Sequence, residues 1–433
     1  MNAEYSQEAV MMTLAAISYR GFNLMLLGES ERRTRLRAAM VDSINTLGPV
    51  RNNWDLVWGP ASFSSLKKGL DEVVLYVARS RHEPTTLVVA IRGTNPLSAS
   101  DWILGNLTVS KTVPWPYGAP TVGAEISVST ALNLCILKHL RSDVVEPSSP
   151  AEKVSRAFRP DTIRRFVSRS LAGGITRPLD GLVKPLALAE WIDAAKRKQS
   201  ETASSPEIQT LMNESNRLLP EHCDPLSLLI DGASHASSAP GIDLLGFLRN
   251  VVRESRRPVQ IYVTGHSKGG ALSSTVALWL ADTQGGEPVP PEDQWDVNRV
   301  AIVHAYSFAG PTAGNGKFAL HSNGVIGSRC WRVVNQQDIV PHVWSVNDID
   351  QIPDLYPLNV IEHALLATTC ATVLKSVEHL DYQQIGNIVE SFTSALKPQA
   401  IFAHQVVHQH LQAYFDKMKL SNDMNVFTFF TPV

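Results

Sequence analysis

Cysteine is scarce in this chain: four residues in 433, at positions 135, 223, 330 and 370. That density excludes a disulfide framework, and the lack of any paired spacing argues against a structural zinc site. Charge of one sign is missing too. Thirty-nine Lys and Arg face 41 Asp and Glu, a formal net charge of −2. A near-neutral balance gives no reason to expect a nucleic-acid partner, because phosphate binding wants a basic surface. No continuous apolar run reaches the roughly 18 residues of a membrane span, so no transmembrane segment is expected. The N-terminus has no basic run, and Glu4 and Glu8 precede its apolar stretch. That pattern argues against a secretory signal, and a cytoplasmic location is the default, with signal-less export as the alternative. No repeat of fixed period is visible.

Present instead is an ordinary globular composition, 44% hydrophobic. The length accommodates two domains, or one large domain carrying an insertion. Short β-rich runs recur at Val73–Ala78, Leu87–Ile91, Val259–Thr264, Val300–Tyr306 and Trp331–Val334. Helical stretches separate them. Runs this apolar suit the buried strands of a mixed or mostly parallel sheet covered by helices on both faces, an α/β class. Near the N-terminus, Ala9, Met12, Leu14, Ala16 and Ile17 predict a packed helix.

Residues 142–240 differ from the rest. Strand signals almost vanish, and Pro/Ser-rich pieces appear at 146–150 and 204–206. Two amphipathic helices are predicted, Asp161–Gly173 and Pro185–Lys198. Between Lys153 and Lys198 stand 11 Lys/Arg and 4 Asp/Glu; from Gln199 to Pro240 the balance is 1 against 6. One reading is a solvated helical insertion without special role. The other is a lid or cap that contacts a lipid surface transiently. Residues 1–141 and 241–433 then form the core.

The sharpest local signal is Gly265-His-Ser-Lys-Gly269, a G-x-S-x-G motif. A serine that leaves a strand and enters a helix must turn sharply to expose its hydroxyl, and the turn excludes side chains two residues either side. The β run Val259–Thr264 ends at Gly265, and a helix-like stretch, Gly270–Ala281, follows. Ser267 is therefore the candidate nucleophile. Acyl transfer also needs donors for a developing oxyanion. The Lys268 backbone N–H is one candidate. Thr94, after the strand run Leu87–Ile91, is another, although Gly93-Thr-Asn-Pro96 taken alone reads as a simple strand-end turn.

Together these blocks resemble the class 3 (fungal-type) lipase family. Arg92-Gly-Thr-Asn-Pro96 followed by Asp101-Trp102 resembles its oxyanion segment. Thr264-Gly-His-Ser-Lys-Gly-Gly-Ala-Leu272 resembles its nucleophile elbow, with Lys268 where leucine is usual. Tyr306–Asn315 with Phe318, Arg332–Pro341, and Gln409-His410 with Tyr414 resemble three further blocks, the last typical of bacterial members. The order is the family's, and the blocks cover about two-thirds of the chain.

The resemblance implies an α/β-hydrolase fold, with 142–240 as an insertion, and a Ser267, Asp338, His410 triad. Asp338 follows a strand run and precedes Pro341, which puts it on a loop at a strand end. Among His404, His408 and His410, the family spacing favours His410, with His408 the runner-up. His266 resembles a structural position of the elbow. The implied activity is serine-dependent hydrolysis of carboxylic esters of the triacylglycerol-lipase type, with no metal or organic cofactor. A phospholipase A, a short-chain carboxylesterase, or a catalytically dead lipid-binding scaffold are the rivals.

Overall fold

The computed structural model describes residues 5–20, 29–64, 71–93, 109–119, 122–143, 241–285, 289, 293–398, 400, 402–421 and 424. The expected helices at 161–173 and 185–198 lie outside the described residues. So do Thr94, Asp101 and Trp102.

The described strands are β1 (Trp54–Ser64), β2 (Asp71–Ser80), β3 (Thr86–Ile91), β4 (Thr112–Pro114), β5 (Glu125–Ser127), β6 (Arg141–Ser142), β7 (Ile242–Asp243), β8 (Val259–His266), β9 (Ala301–Phe308), β10 (Gly314–Asn315), β11 (Cys330–Asn335), β12 (Tyr382–Gln383) and β13 (Ile388–Phe392). The helices are α1 (Gln7–Ile17), α2 (Glu29–Thr46), α3 (Val128–His139), α4 (Leu244–Glu254), α5 (Lys268–Asp282), α6 (Gly316–Val325), α7 (Val360–Val377), α8 (Phe402–Val407) and α9 (Ala413–Lys417), with a π-helical turn at His408–Gln412 between the last two.

A seven-stranded sheet in the order β1-β2-β3-β8-β9-β11-β13 forms the centre. β2 pairs antiparallel with both β1 and β3, and β3, β8, β9, β11 and β13 are parallel. Alternation along each strand feeds two cores. Leu87, Val89, Ile261, Val263 and Val303 pack toward α3, α4 and α5. Val88, Ala90, Tyr306, Phe308 and Val333 pack toward α1, α2 and α9. All five strand runs expected from the sequence belong to this sheet; four are extended by one or more residues, and the run expected at Val300–Tyr306 starts one residue later and runs on to Phe308. The N-terminal helix is α1, capped by the Ser6 hydroxyl accepting from the Ala9 N–H and buried from Ala9 to Ile17.

Two strands of this sheet were not legible in the sequence. β1 contains Gly59-Pro60, a turn signal; the sheet tolerates it because β1 is an edge strand, and the register shifts between Trp58 and Ala61. β13 is the opposite edge, and its alternating half-exposure leaves it short of a continuous apolar run.

The 142–240 segment departs from β6 and returns at β7. These pair antiparallel, Arg141 with Asp243 and Ser142 with Ile242, so the two necks of the segment lie side by side.

A third, smaller core lies in the connection from β11 to β13. There α7 packs Leu366, Cys370, Val373, Leu374 and Val377 against Ile349, Ile352, Val109 and Tyr382. This helix qualifies the expectation that no segment resembles a membrane span. Counted on to Leu380, it is long and apolar enough to cross a membrane by length and composition.

Candidate active site

The parallel strands deliver their C-terminal ends to one rim of the sheet, and the candidate residues gather there. β8 ends at His266 and α5 begins at Lys268, so Ser267 alone makes the turn. It holds φ 61° and ψ −130°, a left-handed conformation that costs a non-glycine residue about 1–3 kcal/mol and persists only when its surroundings enforce it. The enforcement is backbone hydrogen bonding. The Ser267 N–H donates to Phe308 O at 2.9 Å, and Ser267 O accepts from the Gly270 N–H at 2.8 Å and the Ala271 N–H at 3.3 Å. A Cβ on Gly265 would collide with the backbone carbonyl of Gly269. One on Gly269 would sit 2.5 Å from Ile91 O. The two motif glycines therefore let β3, β8 and α5 converge beneath the serine. Lys268 opens α5, so its backbone N–H lies at the positive end of that helix beside Ser267.

Asp338 lies on the loop after β11, its own N–H donating to Asn335 O at 2.9 Å. It is fully buried. Three donors converge on its carboxylate: the Val340 N–H at 3.0 Å, the Tyr414 hydroxyl at 2.9 Å, and His410 Nδ1 at 2.8 and 3.0 Å. A carboxylate only accepts, so Nδ1 carries the proton and Nε2 is left as the basic nitrogen, on the far edge of the ring. Tyr414 and His410 stand four residues apart and share a face. Burial, then the neighbouring Asp338 charge, pushes the Tyr414 phenol well above its ordinary range, so it remains a donor.

The histidine segment is also tied to the elbow. His266 Nε2 lies 2.7 Å from the His410 carbonyl, which fixes the proton on Nε2, and the two rings sit with centroids 4.6 Å apart. Tyr19 from the α1 end approaches the other nitrogen, Nδ1, at 3.3 Å and the His266 carbonyl at 3.2 Å. Burial, then the nearby His410, holds the His266 imidazole well below its usual pKa. It is a neutral strut between the elbow and the histidine loop. Among the described residues no hydrogen bond joins the Ser267 hydroxyl to His410; such contacts are often long before substrate binds.

Of the sequence candidates, the structure thus brings Asp338 and His410 together, with His410 against the Ser267 elbow. His408, the runner-up, is not among the donors that meet Asp338, and burial, then nearby Lys397, lowers its pKa. His404 is exposed.

Sequence reasoning missed the supports. Asn335, the last residue of β11, donates from its side chain to Gln409 O at 2.9 Å and Gln409 Oε1 at 2.7 Å, and its backbone N–H donates to the Tyr414 hydroxyl at 3.0 Å. Its own Oδ1 accepts from the Gln337 and Ser394 N–H groups, both at 3.2 Å. The available signal was a buried amide ending an apolar strand run. Tyr414→Phe removes a donor from Asp338 and the acceptor of the Asn335 N–H. Because both partners are buried, the substitution is expected to destabilise the fold by about 1–3 kcal/mol, read as a lower denaturation midpoint at unchanged slope.

Residues 242–347 match the family model described as Lipase (class 3). Ser267, Lys268 and Asp338 fall inside that segment; Thr94 and His410 fall outside it. No curated protein matches the sequence. Among solved structures the chain is similar to M37 lipase, with a TM-score of 0.64 and 24% identity over 98% of this chain and 96% of that one. That likeness carries the fold, an α/β-hydrolase architecture. The lipase from Rhizopus microsporus var. chinensis is also similar, at a TM-score of 0.33 and 14% identity over 79% of this chain and 70% of that one.

Proposed function

We infer, on the premise that this chain is a member of the class 3 lipase family, that it is a serine carboxylic ester hydrolase acting on lipid esters through an acyl-enzyme intermediate. The observation that carries the mechanism is the buried Asp338–His410 pair held against the strained Ser267 elbow. In the proposed cycle His410 Nε2 takes the Ser267 hydroxyl proton as Oγ attacks the ester carbonyl. Asp338 keeps the Nδ1 proton and stabilises the imidazolium. The Lys268 and Thr94 N–H groups donate to the oxyanion. Collapse of the tetrahedral species expels the alcohol, protonated by His410, and leaves an acyl-Ser267 ester. Water activated by His410 then releases the acid and restores the serine.

In this reading residues 142–240 form an inserted cap over Ser267. Supporting that role are the adjacent necks at β6 and β7 and the apolar stripes of its sequence, among them Phe166, Val167, Trp191 and Ile192. An apolar stripe must be buried, and a site for acyl chains offers it an apolar partner. The test is turnover of a triacylglycerol at increasing concentration across its solubility limit, beside a soluble short-chain ester and a phospholipid. A rise once aggregates form, with triacylglycerol preferred, is the expected result. Saturation below the limit with the short-chain ester preferred identifies a plain esterase, and preference for the phospholipid identifies a phospholipase A.

A further inference from the structure

Arg92 and Tyr19 are both buried, and neither belongs to the triad. They meet at the C-terminal turn of α1. The last carbonyls of a helix lack partners within it and carry the negative end of its dipole. Arg92 answers two carbonyls of this turn, Nε donating to Ser18 O at 2.7 Å and Nη2 to Arg20 O at 2.8 Å. A planar guanidinium fork is preorganised for such a two-point grip, which a lysine ammonium is not. The two bonds fall on either side of Tyr19 and fix its backbone. Arg92 directly follows β3 and precedes Gly93, so the same grip holds the start of the oxyanion segment.

The Tyr19 hydroxyl then reaches the elbow, 3.3 Å from His266 Nδ1 and 3.2 Å from His266 O. Burial raises the phenol above its ordinary range, against the Arg92 charge and the Gly93 backbone N–H, so it keeps its proton. The Nε2 proton of His266 is spent on the His410 carbonyl, which leaves Nδ1 as an acceptor for the phenol. On its other side the hydroxyl lies against the oxyanion segment. A Cβ on Gly93 would collide with it and with the His266 carbonyl oxygen. The helix behind this turn is itself fixed to the sheet. The Thr264 hydroxyl of β8 donates to Met11 O at 3.2 Å, and the Tyr76 hydroxyl of β2 to Leu14 O at 2.5 Å. One turn of chain thus meets the oxyanion segment, the elbow and, through His266, the histidine loop.

We propose that Tyr19 and Arg92 are positioning residues, which hold the Arg92-Gly93 end of the oxyanion segment in register with the Ser267 elbow. This rests on the reading of the chain as a serine ester hydrolase with an oxyanion donor just beyond Gly93. Both residues act through the backbone they hold. Their effect belongs to the transition state, where the oxyanion develops, and leaves ground-state binding alone.

The test uses Tyr19→Phe and Arg92→Lys in the full chain. For each, kcat and KM are measured on a soluble short-chain ester, per active site counted by exhaustive fluorophosphonate labelling. A soluble trifluoromethyl ketone probes the oxyanion directly. Ser267 Oγ bonds to its carbonyl carbon, the serine proton passes to His410, and the electron pair of the C=O bond becomes an alkoxide. For Tyr19→Phe the expected result is a fall in kcat of about tenfold to a hundredfold at unchanged KM, with a parallel weakening of ketone binding. Arg92→Lys keeps the charge but loses the fork, and the same split is expected. A role in folding alone gives fewer active sites, each with the parental kcat, and that result overturns the proposal. So does a rise in KM with ketone binding unchanged. Should Arg92→Lys not fold, Tyr19→Phe decides, because its ring still fills the same place. Variants that match an active parent overturn the proposal and leave the catalytic reading standing. A folded parent that takes no label and hydrolyses no ester overturns both.

Discussion

Ser267→Ala is expected to lower ester turnover by about a millionfold, the loss typical of removing a serine nucleophile, while the protein stays folded. The two halves of this expectation have separate causes. The elbow is held by the Ser267 N–H on Phe308 O and by Ser267 O accepting from Gly270 and Ala271, none of which involves the side chain. Alanine pays a similar strain at φ 61°, so the turn survives without its hydroxyl. What is lost is the only oxygen at the turn able to form the acyl-enzyme. Steady-state turnover of a soluble ester, with the melting temperature as control, checks both. Activity within tenfold of the parent in a folded variant refutes the assignment.

Asp338→Asn is expected to cost about 10⁴-fold in kcat. The carboxylate accepts from three donors at once in a site closed to water. An amide has one acceptor oxygen and brings two N–H groups. With its oxygen in the Oδ1 place accepting from the Val340 N–H, its N–H stands in the Oδ2 place, facing the Tyr414 oxygen and His410 Nδ1, and forces the imidazole to accept there. The His410 proton then moves to Nε2, which can no longer take the proton of Ser267. KM is expected to change little, since Asp338 does not meet substrate. A loss below tenfold means that Asp338 does not hold the tautomer.

The legible features were those set by neighbouring residues. Strands buried on both faces print as apolar runs, unbroken at Leu87–Ile91 and interrupted by Gln260 at Val259–Val263. The elbow prints within five residues because its sterics are local. The edge strands print poorly: β1 carries Gly59-Pro60 and β13 is half exposed. The supports of the site were invisible for a different reason. Tyr19 meets His266 across 247 residues of sequence, and Asn335 meets Gln409 across 74. Choosing between His408 and His410 likewise depended on a distant partner, Asp338, which bonds His410 across 72 residues. α7 escaped notice because Glu362, His363, its threonines and Lys375 interrupt the apolar run.

Covalent labelling tests the central claim most directly. A fluorophosphonate mimics the tetrahedral species: Ser267 Oγ bonds to phosphorus, fluoride leaves, and His410 takes the serine proton. Peptide mapping of the folded, labelled chain is predicted to find one phosphonate, on Ser267, and none after Ser267→Ala. A phosphonate on any other residue that survives Ser267→Ala, or no labelling of the folded parent, would contradict the account.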